Sequence, residues 1–150
     1  MDTTLNVDLK KRLIRAQRCF STLTDTELEE LEGLFKEKRV TVGETIVTEG
    51  DIVDSVYLIV SGTAEVRHVY IENNAVKIQP LATLGPGEAI GLNETGFYSL
   101  SGVRTATVVA MTEVVLLRLS MAAFHGFALM NSHVSEVMRS YVRNLMSRES

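Results

Sequence analysis

One arginine carries the clearest chemical potential in this chain. Arg104 lies within Leu84–Val109, LGPGEAIGLNETGFYSLSGVRTATVV, among apolar and small residues and downstream of a glycine-punctuated loop. An arginine presents a fixed fork of donors that fits phosphate oxygens, and backbone N–H groups complete an anion cradle where small residues let the backbone approach. The competing partner is internal, a carboxylate or loop carbonyls, because an arginine seldom enters a core without one. No pattern of this kind supports catalysis. His68, His125 and His133 are scattered, no nucleophile elbow links a serine to them, and the single Cys19 allows neither an internal disulfide nor a CxxC metal site. The chain reads as a binding protein, not an enzyme, with no metal or cofactor.

Helices are expected at both ends of the chain and strands between them. Leu9, Leu13, Ala16 and Phe20 recur at helical spacing, so a first helix is expected from about Asp8 to Cys19. Thr24 and Glu27 form a capping box for a second helix, with Leu28, Leu31, Leu34 and Phe35 as its buried stripe and an end near Lys38. From Val40 to Leu119 short alternating runs are broken by Gly, Asn, Asp and Pro. They predict eight strands, at 40–42, 45–48, 55–60, 63–72, 75–84, 89–90, 103–111 and 114–119, with a tight turn at Asn73–Asn74. Ser120 caps a helix carrying Phe124 and Phe127. After Asn131 and Ser132 a last helix runs to about Ser147, with Val134, Val137, Met138, Tyr141, Val142 and Leu145 on its apolar side. The fold expected is mainly β: an eight-stranded double-sheet β-roll, jelly-roll-like, with N-terminal helices and two C-terminal helices.

Composition narrows the function classes. With 150 residues, 45% of them hydrophobic, the chain is one domain burying roughly 70% of its unfolded surface. Its parts are the N-terminal helices (1–38), the roll (40–119) with its loop-and-arginine segment (84–109), and the closing helices (120–147). A net charge of -4 argues against a nucleic-acid grip. Lys10, Lys11, Arg12, Arg15 and Arg18 make the first helix basic, which reads as a solvated face. No apolar run reaches the roughly 18 residues of a membrane span, and no signal-peptide core is present. A reducing, cytoplasmic location is expected.

The order of elements from about Phe20 to Leu145 resembles the cyclic-nucleotide-binding domain of the catabolite activator protein, kinase regulatory subunits and cyclic-nucleotide-gated channels. Gly43, Glu44, Ile46, Glu49, Gly50 and Asp51 match that family's G-E-x-I-x-x-x-G-D turn, and Tyr57, Leu58, Ile59 and Gly62 its Y-L-I-x-x-G hairpin. Gly43, Gly50 and Gly62 read as turn residues of the roll. Leu84, Gly85, Pro86 and Gly87 match the opening turn of the family's phosphate-binding cassette, and Arg104, Thr105, Ala106, Thr107 and Val108 its R-T-A-T-V strand. The resemblance implies that Arg104 pairs with a cyclic phosphate while Ala106 and the loop backbone donate N–H bonds to it.

One anchor departs from the family. Where a phenylalanine, glycine, glutamate run is expected, with the glutamate accepting the ribose 2′-hydroxyl, this chain has Ile90, Gly91 and Leu92. Leucine accepts no hydrogen bond, and a buried hydroxyl without a partner costs on the order of 1–3 kcal/mol. Glu88 stands three residues before Gly91, Glu94 two beyond Leu92, and the loop from Gly91 to Arg104 spans thirteen positions, longer than expected for the family. Three readings follow, in order of preference: Glu94 or Asn93 takes the ribose contact; the pocket has changed its ligand; or Leu92 fills a collapsed site. The ligand implied is cAMP before cGMP, with Thr105 a weak indicator of guanine. The expected ligand-binding residues are Gly91, Leu92, Asn93, Glu94, Arg104, Thr105, Ala106 and Tyr141, the last as a base-stacking lid. The partners implied are a cyclic mononucleotide and an effector domain or partner protein, with a homodimer seam as another use of the last helix. A degenerate domain serving as an interaction scaffold is the alternative, and the sensor part of a larger effector a further one.

Overall fold

The computed structural model describes residues 6–92, 102–134 and 136. Helix α1 spans Val7–Arg15, with the Asn6 side chain accepting from the Asp8 N–H at 2.7 Å. It is shorter than the sequence pattern suggests. Gln17 is extended and its side-chain amide donates to the Leu13 carbonyl, so the chain leaves the α-helix and Arg18–Phe20 form a 3-10 turn instead. That turn buries Cys19 and Phe20, and burial pushes the Cys19 thiol up to about 12. Helix α2 spans Asp25–Leu34 behind the predicted capping box: the Thr24 hydroxyl accepts from the Glu27 N–H and the Glu27 carboxylate accepts from the Thr24 N–H.

The expected end of α2 near Lys38 and the expected strand at 40–42 are both corrected. Phe35 turns extended to bury its ring, and Lys36–Val40 becomes strand β1, paired antiparallel with Val114–Ser120. The charged KEKR run resembles an exposed helical turn in sequence. In the fold it is a solvent-facing edge strand, where charge blocks unwanted pairing.

The other strands are β2 (Thr45–Val47), β3 (Ser55–Ser61), β4 (Ala64–Glu72), β5 (Ala75–Leu84), β6 (Ala89–Ile90), β7 (Thr107–Ala110) and β8 (Val114–Ser120). They form two four-stranded sheets, ordered β1-β8-β3-β6 and β2-β7-β4-β5, with the pairings between neighbours antiparallel. This is the expected mainly-β roll with flanking helices. Asn73 and Asn74 take φ of 53° and 62°, the type I′ geometry that a two-residue hairpin demands. Gly62 has φ +89° and lies against the Glu113–Val114 backbone and the Thr112 hydroxyl, so it serves the turn, as expected.

Alternation along β3 and β8 divides the interior into two cores. Val56, Leu58, Leu117 and Leu119 face a helical cluster with Ile14, Phe20, Leu31 and Phe35, while Tyr57, Ile59, Val114 and Leu116 face the space between the sheets. Their sheet is therefore covered on both faces. Ser120 ends β8 and caps α3 (Met121–Met130), its hydroxyl accepting from the Ala123 N–H at 3.1 Å. Phe124 and Phe127 are buried as expected, Phe124 tilted against Phe20 at 6.2 Å between ring centroids. Of the second closing helix, residues 132–134 and 136 are described as helical. The remainder to Ser147, including Tyr141, lies outside the described residues.

Where this helix begins, His133 is not a loose surface group. Its Nδ1 lies 2.9 Å from Glu27 Oε1, and Asn131 donates to Glu30 at 3.3 Å. Burial raises the Glu27 carboxyl, but the Thr24 backbone, His133 and the Thr24 hydroxyl outweigh it and hold the group below its ordinary 4.5. Stability from this carboxylate is therefore complete above pH 4.5 and lost as pH falls through the lower folded value. Glu27→Gln keeps the box and removes the charge. We expect denaturant titrations to show it about 1 kcal/mol less stable than the wild type at pH 7, with the gap closing below pH 4.5.

Candidate anion-binding site

Arg104 is not within a strand, contrary to the expected 103–111. The β7 ladder begins only at Thr107, and Val103 makes an isolated bridge to Ile52. The cause is a competing pairing. The Arg104 N–H donates to the Asp51 carbonyl at 2.7 Å and its own carbonyl accepts from the Gly50 N–H at 2.9 Å, locking it to the turn between β2 and β3. Thr105 and Ala106 then bend the backbone into β7.

This placement carries the guanidinium inward. Arg104 is 6% exposed, and Nη2 donates to the Ser55 carbonyl at 2.7 Å with the Ser55 hydroxyl at 3.5 Å. Asp54 Oδ1 lies 3.7 Å from Nη2, and Asp54 Oδ2 lies 3.9 Å from Arg118 Nη2. Part of the internal-partner expectation is thus met. The other part is not: Nη1 is buried with no hydrogen-bond partner among the described residues. Burial lowers the Arg104 pKa, with Tyr57 and then Asp54 opposing the shift. An arginine stays charged under such a shift, so half of the fork lacks an acceptor among the described residues.

Gly91 makes room for that half. Its φ is +83°, and a Cβ there would sit 2.5 Å from Arg104 Nη1 and 3.4 Å from the Ser55 carbonyl. Gly91, Leu92, Arg104, Thr105 and Ala106 line one cavity of about 260 Å³, walled otherwise by apolar residues such as Val47, Val66, Leu84 and Ile90. Its size is near the lower end of the ~300–1,000 Å³ typical of small-molecule sites. Five expected site residues are therefore brought together. Asn93, Glu94 and Tyr141 lie outside the described residues. Glu88 is not among the lining residues. It borders a neighbouring cleft with Gln17 and Cys19, and its backbone pairs with Gly85 and Ile59.

Asp54 and Ser55 were not apparent as site residues from the sequence. Ser55 contributes chiefly its carbonyl, which no side-chain pattern encodes, and Asp54 reaches Arg104 only because β3 starts beside it. Among the described residues no group of His, Cys, Asp and Glu is arranged to hold a metal, and no helix is long and apolar enough to cross a membrane.

The roll and its buried cation define a class that sequence comparison also identifies. The cyclic nucleotide-binding domain family matches residues 37–131, and the chain belongs to it. The N-terminal domain of a transcriptional regulator from Streptomyces coelicolor A3(2) is 26% identical, with TM-score 0.76, covering 91% of this chain and 92% of its own. A cAMP-bound PfPKA-R fragment is 25% identical, with TM-score 0.70, over 85% of this chain and 43% of that one. The catabolite activator protein of Thermus thermophilus is 23% identical, with TM-score 0.65, over 87% of this chain and 59% of that one. The chain thus spans about half the length of the latter two. No curated protein matches it at a significant level.

Replacing Gly91 by alanine is expected to cost about 1–3 kcal/mol, from the left-handed backbone and the displaced guanidinium together. Chemical denaturation measures it; an unchanged midpoint and slope would show that Arg104 moves aside freely.

Proposed function

We propose that this domain is a second-messenger receptor that holds a cyclic mononucleotide, cAMP before cGMP, in the cavity at Arg104. The observation that carries this reading is Arg104 Nη1, a buried donor of a charged group without a partner among the described residues, beside a glycine whose missing side chain leaves it clear. A phosphate oxygen supplies the missing acceptor through a charge-assisted bond. Family membership supports a cyclic phosphate as that anion. The cAMP-bound PfPKA-R fragment supports adenine over guanine, and Thr105, exposed at the cavity, is a weak counter-indication. The function on this reading is binding without catalysis, relayed to an effector domain or partner protein.

The relay we favour is the C-terminal helix, with Tyr141 as its lid over the base. Ligand would shift the helix between open and docked states through its differential contacts with the two. Support comes from the start of that helix, tied to α2 through His133 and Asn131.

Calorimetric titration with cAMP and cGMP tests the site. The wild type is expected to bind with a micromolar Kd, and Arg104→Ala to weaken it at least tenfold, the value of one charge-assisted bond. Absence of heat and of thermal stabilisation with both nucleotides would favour the scaffold reading. For the relay, hydrogen exchange across 132–147 should slow at saturating ligand; identical protection with and without it rules the lid out.

A further inference from the structure

On the receptor reading above, the same cavity also accommodates the sugar of the nucleotide. Arg104 Nη1 lies so close to Gly91 that a Cβ would stand 2.5 Å from it, so an anion taken by that nitrogen lies against the Gly91 backbone. Leu92 is the next residue. It is half-buried, packs on its far side against the helical core, and faces the cavity. In a 3′,5′-cyclic mononucleotide the 2′-hydroxyl sits on the carbon adjacent to the one bearing the 3′ oxygen, so it travels with the phosphate. Among the described residues the wall beside this phosphate is hydrocarbon, and the Leu92 side chain that forms it packs against the helical core. Leu84, Ala89 and Ile90 continue the same apolar surface.

We infer that Leu92 makes the site blind to the 2′-hydroxyl, so that a 2′-deoxy cyclic mononucleotide is held at least as tightly as its ribose counterpart. A hydroxyl desolvated against leucine is penalised and one left in water is neutral, so no contact among the described residues favours ribose. A site built to hydrogen-bond a hydroxyl rejects the analogue lacking it by several orders of magnitude, whereas an apolar wall discriminates far less.

The test is calorimetric titration of the full 150-residue chain with 3′,5′-cAMP and with 2′-deoxy-3′,5′-cAMP. The deoxy ligand is expected to bind with equal or lower Kd, and Leu92→Glu to turn the preference toward the ribonucleotide by at least tenfold. Leu92→Gln, checked by thermal melting, serves the same purpose should the glutamate variant fail to fold. A wild-type preference of tenfold or more for cAMP overturns the inference and leaves the receptor reading standing; loss of that preference in Glu94→Gln would then identify the acceptor. No shift toward the ribonucleotide in either folded variant of Leu92 also overturns it. If neither nucleotide binds the wild type, the receptor reading and this inference fall together.

Discussion

Holding a guanidinium out of water costs several kcal/mol unless its donors and charge are answered, and the local structure around Arg104 is organised by that requirement. One nitrogen is answered by the Ser55 carbonyl, with Asp54 at longer range. The residue's own N–H and C=O are committed to the Asp51 and Gly50 backbone, which delays β7 until Thr107 and leaves the 104–106 segment facing the cavity. Gly91, beside the Ser55 carbonyl, adopts a positive φ and offers no side chain where the second nitrogen lies. Remove any of these and the arginine either loses its fixed direction or has no space to hold it.

That fixed direction depends in turn on β3, whose first residue is Ser55. Strand β3 is buried on both faces, because Val56 and Leu58 project to the helical core while Tyr57 and Ile59 project into the roll. A strand sandwiched this way has little freedom to slip, since a one-residue shift would exchange the two sets of side chains. The second sheet is held differently. Its edge strand β5 and the outer part of β4 are exposed, including Ile71 and Val76.

Much of this could be read from residue order because local and tertiary demands agree. The Thr24–Glu27 box, the Asn73–Asn74 turn and the Ser120 cap each depend on a few neighbouring residues, and each stands where the pattern puts it. The R-T-A-T-V match likewise located the cation. What escaped was decided by distant partners. KEKR pairs as a strand because β8 lies alongside, with Lys36 opposite Arg118 and Arg39 opposite Val115, a distant alignment that charge periodicity does not register. Arg104 leaves the ladder because the Gly50–Asp51 turn offers its backbone nearer partners. The fold class was therefore more legible than strand limits, and the cation more legible than the carbonyl that aims it.

The segments flanking the cavity are also bonded to the helical layer at two separate points. Gln17, just beyond α1, donates to the Gly87 carbonyl at 3.0 Å, while Gly87 donates to Ile59 in β3 at 2.8 Å. At the other end, the N–H of Met121, the first residue of α3, donates to the Asp54 carbonyl at 2.9 Å, next to the Ser55 carbonyl that receives Arg104. Leu92 adds an apolar connection, touching the helical core while lining the cavity. Displacement of the Gly87 loop must either break the Gln17 bond or draw the end of α1 with it, and displacement of Asp54 faces the same choice with α3. Close packing between sheet and helices makes the concerted option the less costly one.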